Sequence, residues 1–262
     1  MRIALVPLAA AALLLLAAGP AAADGSPRGM LAHFAGVDPG RVVAVAGYTV
    51  EGRGHVTHVV VGSYRDREYE QRMIVLLRCG PRTCHGKPVW FGPHPVRVLG
   101  LVDLEGAPGP LGGGAELRGR ADWTGRLGAP GARARWPALV VETREERVTT
   151  GPTRFRKEVT GTERHHELVL LSLRKAEAGA PKLASLPTVD LHPSGAGTTT
   201  SYELVRGAGK GQRRAPLEIV GLEQRHLDRD LACIRPDPVP VRYVLTAGRY
   251  VRTAERGRAG CG

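Results

Sequence analysis

HHELVLLSLR, residues 165–174, is apolar on both of its alternating faces. In an extended chain Val169, Leu171 and Leu173 point one way while Leu168 and Leu170 point the other. A segment that hides both sets of side chains is a strand inside a sheet with cover on each side. RMIVLLR, residues 72–78, has the same character about half a chain earlier. Outward from these two segments the pattern stays extended. Strands are expected at 41–50 and 55–64, joined by the hairpin loop Glu51-Gly52-Arg53-Gly54, then at 68–79, 87–91 and 96–104. Residues 106–114 (GAPGPLGGG) should hold no regular structure, and 115–124 should resume as a strand.

After the Gly/Ala/Pro-rich run 126–136 the alternation restarts, at 138–147, 155–160, 165–174, 183–191, 201–206 and 217–224. A last hairpin spans 241–253 and turns at Thr246-Ala247-Gly248. Met30, Leu31 and Phe34 fit one helical turn ahead of Asp38-Pro39-Gly40, and no long stretch has helical periodicity. The fold class is therefore all-β, antiparallel, either sandwich-like or like part of a propeller.

The chain opens with Met1-Arg2, an apolar run from Ile3 to Ala18 and Ala21-Ala22-Ala23, the pattern of a secretory signal peptide. Cleavage after Ala23 would leave a mature chain from Asp24 to Gly262, exported to a periplasm or outside the cell, with no membrane-spanning segment. An exported chain with four cysteines reads first as disulfide-bonded. Cys79 and Cys84 flank a tight turn, which leaves Cys233 and Cys261 for the C-terminal tail; spacing alone permits all three connectivities. Cys79 to His85 also has the form of a variant haem-attachment motif, but Gly80-Pro81 is turn chemistry and the disulfide hairpin is the reading preferred.

Formal net charge is +12, with 37 basic residues of which five are lysines. A basic surface attracts anionic polymers or components of the cell envelope, and Arg53, Arg154, Arg156, Arg213 and Arg214 are the candidate contacts.

Internal similarity organises the chain into two halves. Val102-Asp103-Leu104 precedes Glu116-Leu117, and Val189-Asp190-Leu191 precedes Glu203-Leu204, with the same Asp-to-Glu separation. Val42–Ala46 likewise matches Pro137–Val141, and Met73 matches Leu168. The expected organisation is a leader at 1–23, a short segment at 24–40, a first β half at 41–125, a linker at 126–136 and a second β half at 137–262.

The Val-Asp-Leu loops with their following Glu-Leu strands resemble those of secreted FG-GAP and VCBS-type repeat proteins. That resemblance implies loops that bind calcium through carboxylates, here Asp103, Glu105 and Asp190. Calcium takes about six to eight oxygens, and neither loop offers enough side chains, so a degenerate repeat without metal or other cofactor is expected.

For catalysis the candidates are Asp103 with Glu116, Asp190 with Glu203, and His165 with Glu167, as a hydrolase would use them. On a strand His165 and Glu167 share one face and His166 takes the other. There is no HExxH, no GxSxG and no phosphate loop. The chain reads as an exported binding or structural module without catalysis, with a secreted hydrolase and a polyanion-binding protein as the alternatives.

Overall fold

The computed structural model describes residues 26–52, 55–79, 84–111, 125–126, 135–151, 159–174, 182–207, 216–226 and 237–253. Among the described residues it is mostly antiparallel strand with one short α-helix, in two sheets neither of which closes into a barrel, an all-β fold. Two compact units divide the described elements.

The first unit holds helix α1 (Pro27–Ala35) and a sheet of β1 (Val42–Gly52), β2 (His55–Asp66), β3 (Tyr69–Cys79), β4 (Cys84–Gly92) and the two-residue β7 (Gly125–Arg126), in the order β4-β3-β2-β1-β7. Ser26 caps α1 by accepting from Gly29 N at 3.0 Å, Pro27 stands in the first turn, and Gly36 ends the helix at φ 67°. Where one helical turn was expected, nine residues are helical because both ends are capped. The helix needs seats without side chains on the sheet beneath. A Cβ on Gly62 would lie 2.5 Å from Leu31 Cδ2 and 2.6 Å from Ala44 O, and one on Gly86 would lie 2.5 Å from Phe34 Cζ. Met30, Leu31 and Ala32 pack there with Val60, Met73, Val75 and Leu77. The β3 residues Met73 to Leu77 are all buried, the two-sided cover expected of RMIVLLR.

The second unit holds β5 (Val96–Asp103), β6 (Gly109–Leu111), β8 (Pro137–Gly151), β9 (Val159–Ser172), β10 (Lys182–Leu191), β11 (Gly197–Val205), β12 (Glu218–His226), β13 (Val239–Thr246) and β14 (Arg249–Thr253). They run β14-β13-β12-β11-β10-β9-β8-β5, with β6 against β11. Leu168, Val169, Leu170, Leu171 and Leu173 are each at most 3 % exposed, so both alternating sets of HHELVLLSLR are covered. β10 meets β11 only through residues 189–191 and 197–199, after which β11 takes β6 as its neighbour. The sheet thus has two limbs, β5-β8-β9-β10 and β11-β12-β13-β14, and one core draws on both: Leu168, Leu170 and Leu186 with Tyr202, Ile219 and Tyr243. Tyr202 donates to Pro187 O at 2.8 Å and Tyr250 to Leu217 O at 2.6 Å, and burial pushes both hydroxyls well up from the usual tyrosine value.

Three features differ from the sequence reading. β5, read as part of the first half, pairs with β8 in the second unit. Gly109-Pro110-Leu111, read as irregular, forms a three-residue edge strand, a position that tolerates a proline without an N–H. β9 is continuous from Val159, so Thr160 and His165 lie on one strand rather than two. Phe155 and the strand expected at 115–124 lie outside the described residues.

The turn between β13 and β14 falls at the expected place. Ala247 and Gly248 have φ of 49° and 80°, the two positive angles of a type I′ turn. Alanine is costly there, whereas asparagine tolerates the left-handed region. Ala247→Asn is expected to stabilise the protein by about 0.5–1 kcal/mol, a rise of roughly 1–4 °C in a calorimetric Tm. An unchanged or lowered Tm would contradict this account of the turn.

Candidate functional site

Beyond the apolar core, the polar ends of β8, β9 and β10 lie side by side. Register places Glu145, His165 and Asp190 opposite one another across the three strands. His165 Nδ1 lies 2.8 Å from Asp190 Oδ1, and its Nε2 lies 3.2 Å from Glu163 Oε1. A ring donates to both carboxylates at once only when both nitrogens carry hydrogen. On the same face Ser185 donates to Glu167 at 2.7 Å, and Arg147 pairs with Glu145. His166, on the opposite face as alternation requires, has its Nε2 3.1 Å from Glu146 Oε1. His165 is 42 % exposed and His166 12 %, so the first can exchange with solvent and the second is largely fixed.

Asp190 reaches His165 because of one extra residue. The β9–β10 register steps from Pro187↔Glu167 to Val189↔His166, leaving Thr188 as a bulge. Without it Asp190 would pair with Arg164 and face the other side. This cluster ties three strands together, His165 joining β9 to β10 through Asp190 and His166 joining β9 to β8 through Glu146. The hydroxyl beside it, that of Ser185, donates to Glu167 rather than to His165, so the groups are not arranged as nucleophile and base.

Asp103 has a different role. Its Oδ1 accepts from Trp136 N at 2.9 Å and Glu105 N at 3.1 Å, and its Oδ2 from Arg135 N at 3.1 Å. Leu104 N in turn donates to Trp136 O at 3.0 Å. Trp136 Nε1 donates to the buried Ser172 Oγ at 3.1 Å, the Arg174 guanidinium lies 4.7 Å above the indole, and Arg174 pairs with Glu105 at 3.9 Å. The three carboxylates singled out for calcium, Asp103, Glu105 and Asp190, are thus engaged with backbone N–H groups, Arg174 and His165 respectively. Among the described residues no group of three His, Cys, Asp or Glu side chains is placed to hold a metal.

Cys79 and Cys84 stand directly opposite each other where β3 ends and β4 begins. Their side chains, and Cys233 and Cys261 altogether, lie outside the description, as do Arg53, Arg154, Arg156, Arg213, Arg214 and Glu116. In the first unit His58 Nδ1 lies 3.2 Å from Thr49 Oγ1, and burial holds that ring below the usual histidine value.

A basic feature that the motif search passed over lies on the other limb. Arg225 Nε and Arg252 Nη2 both approach Glu223, each at 3.5 Å, and the two guanidiniums are 52 % and 55 % exposed. Their signal in the sequence is only the alternation of charge along β12 and β14. Charge is unevenly divided between the limbs. β5 and β8–β10 carry seven acids (Asp103, Glu142, Glu145, Glu146, Glu163, Glu167, Asp190) against five bases (Arg97, Arg144, Arg147, Arg164, Lys182). β11–β14 carry four arginines (Arg225, Arg242, Arg249, Arg252) against three glutamates (Glu203, Glu218, Glu223).

The fold and these surfaces define a two-sheet β protein with segregated charge. Compared with protein-family models, with curated proteins and with solved structures, the chain finds no match in any of the three. Among the described residues no helix is long and apolar enough to cross a membrane.

Proposed function

We propose that the chain is an exported, non-catalytic binding module that engages an anionic polymer of the cell envelope through the β11–β14 limb. The observation that carries this reading is the division of charge in the second unit, where β11–β14 carry four arginines against three glutamates while β5 and β8–β10 carry seven acids against five bases. Arg225 and Arg252 share Glu223, so one unit of positive charge is left over at half-exposed forks, and guanidinium forks suit sulfate, phosphate and carboxylate groups. The formal charge of +12 adds long-range attraction. The leader-like N-terminus and the cysteine number support export.

The test compares elution from heparin with elution from a sulfopropyl exchanger. The protein is expected to leave heparin at the higher salt, and the double variant Arg225→Gln/Arg252→Gln to lose that margin. In binding isotherms the slope of log K against log salt should fall by about 1–2 in the double variant. Arg164→Gln, on the acidic limb, should change neither. Equal elution from both resins, or equal effects of all three substitutions, would remove the reading.

A further inference from the structure

We propose that the outer edge of β8, from Glu146 to Thr150, is a self-association edge. It pairs antiparallel with the same edge of a second copy about a two-fold axis at Val148.

β8 and β9 outrun their neighbours. β5 reaches along β8 only as far as Thr143, and the last contact on that side is Arg144 N donating to Pro95 O at 3.0 Å. β10 reaches along β9 only as far as Arg164. From residue 145 onward β8 is paired with β9 alone among the described strands. Two-stranded ribbons are marginal by themselves, and an open edge is a template for another strand. Proteins usually blunt such an edge with charged side chains, above all lysine, with proline or with a bulge; here the only charges are Glu146 and Arg147, one of each sign. From Glu146 to Gly151 (ERVTTG) β8 has neither proline nor lysine, and its register with β9 is unbroken. Val148 on it is 78 % exposed, the most exposed large hydrophobic side chain among the described residues.

The hydrogen-bond phase selects the register. Leu173 N donates to Pro137 O, so odd residues of β8 face β9, while Arg144 shows that even residues turn their backbone groups outward. Glu146, Val148 and Thr150 therefore offer N–H and C=O at the open edge. A sheet continued by a two-fold axis pairs residues of like parity. An axis at Glu146 or at Arg147 would set two like charges face to face, and one at Thr149 would leave Val148 opposite Thr150 instead of its own copy. Centring on Val148 pairs Val148 with its own copy, Glu146 with Thr150 and Arg147 with Thr149. No like charges are then opposed, the two exposed valines cover each other, and about six backbone bonds form. Only a second copy supplies this self-complementary sequence.

Sedimentation velocity on the purified protein tests the proposal, from about 1 to about 100 μM, the range in which an interface of this size would associate. A concentration-dependent dimer is expected. Val148→Lys opposes two cations at the axis, and Val148→Pro removes an outward N–H while leaving the β9 ladder intact. Each should weaken association at least about tenfold, with an unchanged far-ultraviolet spectrum showing that the chain still folds. Val251→Lys, an equally simple change at a half-exposed valine on β14, should leave the dimer as it is. Val148→Cys should be joined to its own copy by a short bis-maleimide reagent, since the opposed Cβ atoms of a hydrogen-bonded pair lie about 5.5 Å apart, too far for a direct disulfide. A wild type that stays monomeric across the range, or a dimer indifferent to both Val148→Lys and Val148→Pro, overturns the assignment.

Discussion

Replacing Gly197 by alanine is expected to cost about 3 kcal/mol or more of unfolding free energy, more than a substitution at any other described turn glycine. Two independent terms add. Gly197 has φ of 145°, a conformation that is strained for any residue with a Cβ. The added Cβ would also be driven onto the carbonyl oxygen of Asp190, and would lie 3.0 Å from Asp190 C and from Leu191 Cα. These are backbone atoms of the facing strand, so no side-chain rotation relieves the clash and the hairpin must open. That hairpin is the joint at which β10 pairs with β11, and it holds Asp190 against His165.

Gly195, two residues earlier, separates the terms. Its φ is 86° but nothing lies within 4 Å of a Cβ placed there. Gly195→Ala should therefore cost only the backbone term, about 1–2 kcal/mol. Urea midpoints of the two variants decide the matter. Equal midpoints would mean that the close approach at Gly197 contributes nothing. The Gly197→Ala protein should in addition show the His165 ring resonances of an Asp190→Ala variant, since both lose the same contact.

The parts of this fold that were legible in the sequence are those where one residue type has one meaning. In HHELVLLSLR and RMIVLLR both parities are apolar, which fits only a strand covered on both faces, and both are buried that way. The turn at Ala247-Gly248 was legible because glycine is what a positive φ selects. What was not legible depends on partners distant in the chain. β5 is a plain alternating strand, and nothing within it states that it pairs with β8 about 40 residues later rather than with β4. β6 escapes notice because a three-residue edge strand is fixed by its neighbour β11, not by propensity.

The polar cluster shows the same limit. His165, His166 and Glu167 were correctly divided between two faces, and Asp190 was singled out, yet their meeting turns on the Thr188 bulge. A single unpaired residue reverses the side to which everything after it points. For the basic limb the sequence offered arginines in loops, whereas the half-exposed pair at Glu223 stands on regular strands.

Asp103→Ala is expected to destabilise the protein by about 3 kcal/mol, because one half-buried carboxylate accepts three backbone N–H groups and charge-assisted bonds of this kind are worth about 1.5–3 kcal/mol each before solvent screening. The loss spreads beyond the turn. With Trp136 N and Arg135 N released, the start of β8 keeps only its bonds through Trp136 O and Pro137 O among those described, and the indole that donates to Ser172 loses part of its anchor. Leu104, fully buried, is held by the same junction through Trp136 O and through Leu217 N, which donates to its carbonyl at 2.6 Å. Asp103→Asn retains an acceptor oxygen without the charge and should cost roughly half as much. If Asp103 were instead a calcium ligand, the wild type would melt higher with millimolar calcium than with EDTA, by about 2.7 kcal/mol at one hundred times the dissociation constant. The three N–H bonds predict no such difference and a full loss in Asp103→Ala under both conditions. A calcium-dependent Tm in the wild type that vanishes in the variant would return Asp103 to the metal reading and remove its role as the cap that joins β5 to β8.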